Sequence, residues 1–287
     1  MFRRQRAIWF VLPALFAISV LLFYPLIYTF LLSFYDITFA TFVKGGSKWI
    51  GLRNYFMLMQ DPQFIITFRN TAFFLAISIF FQFVTGFLLA LLFDKHFPLN
   101  NFLKGILMLP WFMPIATAAI VFRWFFADTG LVNAFLVGTG IIKNPINWIT
   151  SSRLAIVSVT LANIWLGIPF NFIMLLTGLK AIPVELYECA ELDGAREWHK
   201  IIYIALPLLR QVIAATIILG SVLTVKVFDL VWLLTKGGPA GASHLFSTYS
   251  YSLAFERFRF GYSAAVIITM VMIVVVMLPF LSRLRRE

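Results

Sequence analysis

Apolar residues in this chain fall into six long runs, not into the short periodic stripes of a water-soluble fold. The runs extend over Ile8 to Phe34, Asn70 to Phe93, Gly105 to Phe126, Leu154 to Leu179, Val212 to Leu234 and Tyr262 to Ser282. Each is long enough to cross a bilayer as a helix, which takes about 20 mostly apolar residues. Four of the six contain no charged residue. The pattern predicts an all-α polytopic membrane protein with six transmembrane helices, forming a single transmembrane domain over residues 1–287. It contains no internal repeat, low-complexity tract or interdomain linker.

With an even number of spans both termini share a side. The Arg3, Arg4, Arg6 cluster before the first run and the Arg283, Arg285, Arg286 cluster after the last place that side in the cytoplasm. Lys and Arg are also denser in the connecting segments this assigns to the inside. The first run is too long for a signal-peptide core and reads as a retained span. Prolines at 13, 25, 110, 114 and 169 each remove a backbone donor and bend the helix that holds them.

Composition sharpens the class. Of 287 residues, 61% are hydrophobic and 12% charged, against roughly 45–50% and about 25% in soluble domains. That excess must face lipid, which sets a soluble enzyme aside. A net charge of +11 would suggest nucleic acid in a soluble chain. Here the basic residues sit mainly at termini and in connections, so no nucleic-acid partner is expected. Cys189 is the only cysteine, which rules out an intrachain disulfide or a thiolate metal site. His96, His199 and His244 are scattered in loops without ligand spacing and read as solvated residues, so no metal is expected. The chain has no G-x-x-x-x-G-K-[ST] loop, so any ATP and Mg would be bound by another subunit.

Two charges fall inside the fifth run, Lys226 and Asp229. Either would cost about 2.5–3.5 kcal/mol facing lipid at the centre of a span, so both should face protein or water. Their i, i+3 spacing puts them on one helical face, where they neutralise each other or line a polar cavity. They would be the relay of an ion-coupled secondary transporter, the alternative function for this chain. Arg123, near the outer end of the third run, reads as an interfacial anchor.

The connection over residues 180–210 is long, charged and helically patterned. Pro183 opens it, Glu185, Glu188 and Glu191 load the early turns with negative charge, and Gly194 breaks the run. Its residues resemble the membrane subunits of binding-protein-dependent ABC importers, whose signature is E-A-A, three residues, G, nine residues, I-x-L-P. That signature falls on Glu188, Cys189, Ala190, Gly194, Ile204, Leu206 and Pro207, with Cys189 replacing the first alanine. LLTKGGPAG at Leu233 to Gly241 resembles the carbohydrate-type branch. So do GLRNY at Gly51 to Tyr55, RNT at Arg69 to Thr71, MLPWFMP at Met108 to Pro114 and WLGIPF at Trp165 to Phe170.

The resemblance implies a type I ABC importer permease fold in the bacterial inner membrane, with no enzymatic activity of its own. It implies half of a sugar pathway, an ABC ATPase dimer, a second homologous permease subunit and an extracytoplasmic sugar-binding protein. The loop would be a cytoplasmic coupling helix docked on the ATPase through Glu188, Cys189, Ala190, Asp193, Gly194 and Pro207. Similarity to maltose-type permeases places substrate positions at Asn163, Leu166, Gly167, Phe170 and Thr224, with Lys226 and Asp229 beside the pathway. Of the five, Phe170 and Thr224 depart from the maltose type. With no cationic pocket beyond Lys226 in view, the sequence favours a neutral sugar over a polyol phosphate.

Overall fold

The computed structural model describes residues 11–283, so the basic residues at 3, 4, 6, 285 and 286 and the first residues of the first run lie outside it. The described chain divides into two compact units, residues 1–65 with 249–272 and residues 66–248 with 273–287.

In the first unit, α1 (Val11–Leu32) is apolar all round and buries none of its residues within the chain. Pro25 lacks the N–H for an intrahelical bond and its ring crowds the carbonyl four residues back. The helix accommodates it with a π turn over Ser19–Phe23. A short antiparallel pair, β1 (Tyr35–Asp36) and β2 (Lys48–Trp49), flanks α2 (Phe39–Val43). Phe34 stacks on Trp49 at 5.3 Å. Next comes α3 (Arg53–Gln60), where the buried Asn54 donates to the carbonyls of Ser33 and Tyr35 at 2.8 and 3.1 Å. Asp61 accepts hydrogen bonds from Tyr249 and Tyr262 at 2.6 and 2.8 Å, closing the unit across the sequence. Burial would raise this carboxyl, but the two phenols and the amides of Gln63 and Phe64 outweigh it and hold Asp61 below the usual range.

The second unit is built on α4 (Pro62–Asp94) and α8 (Ala155–Lys180). Between them in sequence lie α5 (Asn100–Phe112), α6 (Ile115–Phe125) and α7 (Leu131–Gly138). Following α8 are α9 (Val184–Leu192), α10 (Glu197–Leu208), α11 (Arg210–Val225) and α12 (Asp229–Thr235). The chain ends with α13 (Phe246–Tyr251) and α14 (Phe260–Arg283). α8 packs against α5, α11 and α12. α4 approaches α8 so closely that a Cβ on Gly86 would lie 2.6 Å from Asn171 Cβ. Two apolar clusters sit at the two ends of α8. Ile156, Val159 and Ala162 pack with Leu230, Val231 and Leu234, while Phe172, Leu175 and Leu179 pack with Ala90, Phe93 and Leu209.

Among the described residues four helices are each long and apolar enough to cross a membrane, or up to six if each of two bent pairs counts as one span. The third predicted run is one of those pairs: α5 and α6 meet at 96° across Met113–Pro114. The fifth run also differs. α11 stops at Val225, residues 226–228 are non-helical, and α12 starts afresh at Asp229. The freed Val227 carbonyl accepts a 2.6 Å hydrogen bond from Ser247, which stabilises the break.

Candidate functional site

Between the two apolar clusters, the middle of α8 faces a cavity of about 350 Å³. Asn163, Leu166, Gly167 and Phe170 line it from α8, and Thr224 and Lys226 from the end of α11. Six of the seven residues expected at the pathway therefore converge on one space, and Asp229 is not among its lining. Close approach of α4 makes the cavity's wall. Gln82 donates to the Asn163 carbonyl at 2.9 Å, and a Cβ on Gly167 would fall 2.3 Å from the Gln82 carboxamide. The Asn163 amide nitrogen is buried without a partner among the described residues. An unpaired buried donor is costly unless something occupies the space beside it, which makes it a candidate ligand contact.

Sequence reading overlooked Gln82 and Trp111. The Trp111 ring stacks on Phe170 at 5.5 Å and 15°, forming an aromatic wall. Trp111 lies in the MLPWFMP segment, whose prolines explain the kink. Without the bend between α5 and α6, nothing in the one-dimensional pattern aims that indole at α8.

Lys226 and Asp229 do not form a helical i, i+3 pair, because the helix ends between them. Both are exposed. Among the described residues the salt bridges are Lys95–Glu197, Lys200–Glu191 and Lys200–Glu197, and none involves either residue.

The segment after α8 forms short helices as expected. Pro183 caps α9, and Gly194 takes φ +77°, the left-handed conformation that L side chains avoid. Ala195 N–H then bonds to the Ala190 carbonyl and Gly194 N–H to that of Glu191, both at 2.9 Å, so the end of α9 is closed by a Schellman motif. Glu188, Cys189, Asp193 and Pro207 are exposed and Ala190 is half-buried. Ala190, Asp193 and Gly194 line a second space of about 350 Å³ together with His199, Lys200 and Tyr203. Pro207 imposes a π turn over Ile201–Ala205, as Pro25 does in α1, and α10 meets α11 at 69°.

Three residues missed in the sequence hold this segment in place. The buried Lys200 bonds Glu191 of α9 at 2.5 Å and Glu197 at 3.0 Å, while Lys95 reaches Glu197 at 2.8 Å. Hydrogen bonds from Lys95 and Lys200 hold the Glu197 carboxyl down at about 2, and the two carboxylates raise Lys200 above its ordinary value.

The RNT segment meets the residues that follow LLTKGGPAG. Asn70 donates to the Ala242 and His244 carbonyls at 2.9 and 3.3 Å, and the Thr71 hydroxyl accepts the Phe246 N–H at 3.3 Å. His244 is not a solvated loop residue: it is 6% exposed and contacts Thr248 through Nδ1 at 3.2 Å, because the loop folds back over it.

Apolar helices around a largely apolar cavity that holds a few polar side chains, with an exposed helical segment at the connection, define a membrane-embedded transport subunit. The sequence matches the family described as the binding-protein-dependent transport system inner membrane component over residues 82–283, and the chain belongs to that family. It is 31% identical over 270 residues to the trehalose/maltose transport system permease protein MalF of Thermococcus litoralis, covering 93% of this chain and 88% of that one. It is also 31% identical over 280 residues to the lactose transport system permease protein LacF of Rhizobium radiobacter, covering 96% and 91%. Its fold matches a bacterial ABC transporter involved in the import of the acidic polysaccharide alginate. That match has a TM-score of 0.84 and 26% identity, covering 99% of this chain and 96% of that one.

Proposed function

We propose that this chain is the membrane subunit of an ATP-driven importer of a sugar or oligosaccharide, and that the cavity beside α8 is its half of the pathway. The observation that carries this reading is the convergence of Asn163, Leu166, Gly167, Phe170, Thr224 and Lys226 on one cavity. An amide, a hydroxyl and an aromatic wall match the hydroxyls and the apolar ring face of a saccharide. The named cargoes of the relatives support a sugar and leave its charge open, since trehalose, maltose and lactose are neutral and alginate is acidic.

In this reading α5 with α6 makes the third span and α11 with α12 the fifth, giving six spans with both termini in the cytoplasm and residues 180–210 on that side. α9 is the coupling helix, docking through Glu188, Cys189, Ala190, Asp193, Gly194 and Pro207 onto an ATPase dimer that binds ATP and Mg and performs hydrolysis. A second homologous permease chain supplies the other half of the pathway. An extracytoplasmic binding protein delivers cargo to the face carrying Arg69, Arg153 and the loop after α12. The ion-coupled alternative loses support, because a helix break begins at Lys226 and ends at Asp229 and neither makes an ion pair among the described residues.

The test is a pull-down of tagged protein in mild detergent, wild type beside Glu188→Ala with Gly194→Trp, joined to uptake in vesicles with and without ATP. The wild type is expected to bring down an ATPase subunit and the double variant to lose it. Saccharide uptake by wild-type vesicles lacking ATP would sink the importer reading.

A further inference from the structure

Two cavities in the second unit are lined by cations and by no carboxylate. The central one has Lys226 as its single charged lining residue. A larger one, about 610 Å³, is lined by Arg69, Asn70, Arg153 and Pro239 among others, again with no Asp or Glu. In three other cavities cations and carboxylates occur together: Asp193 with Lys200, Asp94 with Lys95 and Lys104, and Asp36 with Arg53 and Arg259. Among the described residues no salt bridge involves Arg69, Arg153 or Lys226.

The two cationic cavities follow the same pair of helices. α4 supplies Arg69 and Phe73 to the larger and Gln82 to the central one, and α8 supplies Ile156 and then Asn163. At about 1.5 Å of rise per residue, Ile156 and Asn163 are about 10 Å apart along α8. The larger cavity is also a built structure, since Asn70 is tied to the carbonyls of Ala242 and His244 beside Pro239. Two guanidiniums suit a carboxylate, which they can grip in a planar fork, and an ammonium farther in gives a second charge-assisted hydrogen bond. A neutral hydroxyl gains much less from such groups.

We infer that the cargo is an acidic saccharide, whose carboxylates meet Arg69 and Arg153 in the larger cavity and Lys226 in the central one. This rests on the sugar-importer reading and gives its cargo a charge. It replaces the neutral sugar favoured by the sequence, where Arg69 and Arg153 are too far apart to be read as one site.

The test uses the complete transporter, with its ATPase and binding protein, in phosphatidylcholine liposomes. ATP-dependent uptake is measured for trigalacturonate, trimannuronate and maltotriose. A uronate is expected to be carried and maltotriose not. Lys226→Gln should lower uronate uptake at least about tenfold, the order expected for a lost charged hydrogen bond, and Lys226→Arg should restore most of it. Arg69→Gln with Arg153→Gln should raise the half-saturating uronate concentration about tenfold by the same reasoning while keeping the maximal rate. Co-purification of the ATPase with each variant checks assembly.

Uptake of maltotriose that ignores Lys226→Gln overturns the inference and leaves the sugar-importer reading standing. Uptake of none of the three overturns both. The arginine variants are repeated with phosphatidylglycerol added. If they then alter uptake of every carried probe alike, and only with that lipid present, the larger cavity holds a lipid headgroup and the inference falls.

Discussion

The central cavity and the segment over α9 and α10 are built on opposite plans. The cavity draws Gln82, Trp111, Asn163, Phe170 and Thr224 from four helices and keeps most of them out of solvent. The segment takes its motif from one contiguous stretch and leaves Glu188, Cys189, Asp193 and Pro207 exposed. A cavity that holds a ligand must gather distant residues, because a short stretch cannot surround one. A site completed by another protein can be local, and what the fold must supply is a rigid presentation. For the docking proposed for α9, the Schellman turn at Gly194 and the Lys95–Glu197–Lys200–Glu191 network supply it.

The strongest way to break this contrast is Gly194→Val. A β-branched residue at φ +77° costs about 1–2 kcal/mol or more and re-aims the end of α9. ATP-dependent uptake should be lost while cargo binding to the purified complex, measured by equilibrium dialysis, persists. Loss of both together would mean the two regions are one site.

Next in size is Gly86→Val. Its Cβ would lie 2.6 Å from Asn171 Cβ and 3.0 Å from the Phe172 backbone nitrogen, so α4 and α8 must part. Overpacking of this kind costs about 1–3 kcal/mol. The melting temperature in detergent should fall and cargo binding weaken, with the ATPase still co-purifying. An unchanged melting temperature would show that α4 and α8 do not define the cavity.

Trp111→Ala removes an aromatic stack worth about 0.5–1.5 kcal/mol, which corresponds to roughly a two- to tenfold rise in half-saturating cargo concentration. The maximal uptake rate should hold. A fall in rate alone would move Trp111 out of the cargo site.

The smallest effect belongs to Glu197→Gln, since exposed ion pairs contribute about 0.2–1 kcal/mol and are screened by salt. Glu197 is held at about 2 against an ordinary 4.5. A depressed carboxyl contributes its stability above the ordinary value and loses it as pH falls through the depressed one. The melting difference between wild type and variant should therefore stay constant from pH 8 to about pH 5 and shrink from about pH 4.5 toward 2. A difference that grows on acidification would contradict the network.

The α9 segment was legible in sequence because its physics is local. Pro183 and Gly194 act on their own backbone, so cap and turn follow from residue type. The long spans of α4 and α8 were legible for the same reason. The break at Lys226 was not, because it depends on a hydrogen bond from Ser247 to Val227, twenty residues away. Trp111 and Gln82 were missed because one is aimed by a bend and the other by a close helix approach. His244 was misread as solvated since nothing local says that a loop will close over it.

The sequence by itself determined a helical membrane chain, the family motifs and the α9 turn, because hydropathy and backbone preference act within a few residues. Tertiary structure alone decided that α8 carries a cavity between two apolar clusters. It also decided that Asn163 lines that cavity with its amide nitrogen unpartnered among the described residues, and that Arg69 and Arg153 line another. Those facts depend on where helices distant in sequence come to rest, and close packing at Gly86 and Gly167 sets those distances to within an ångström.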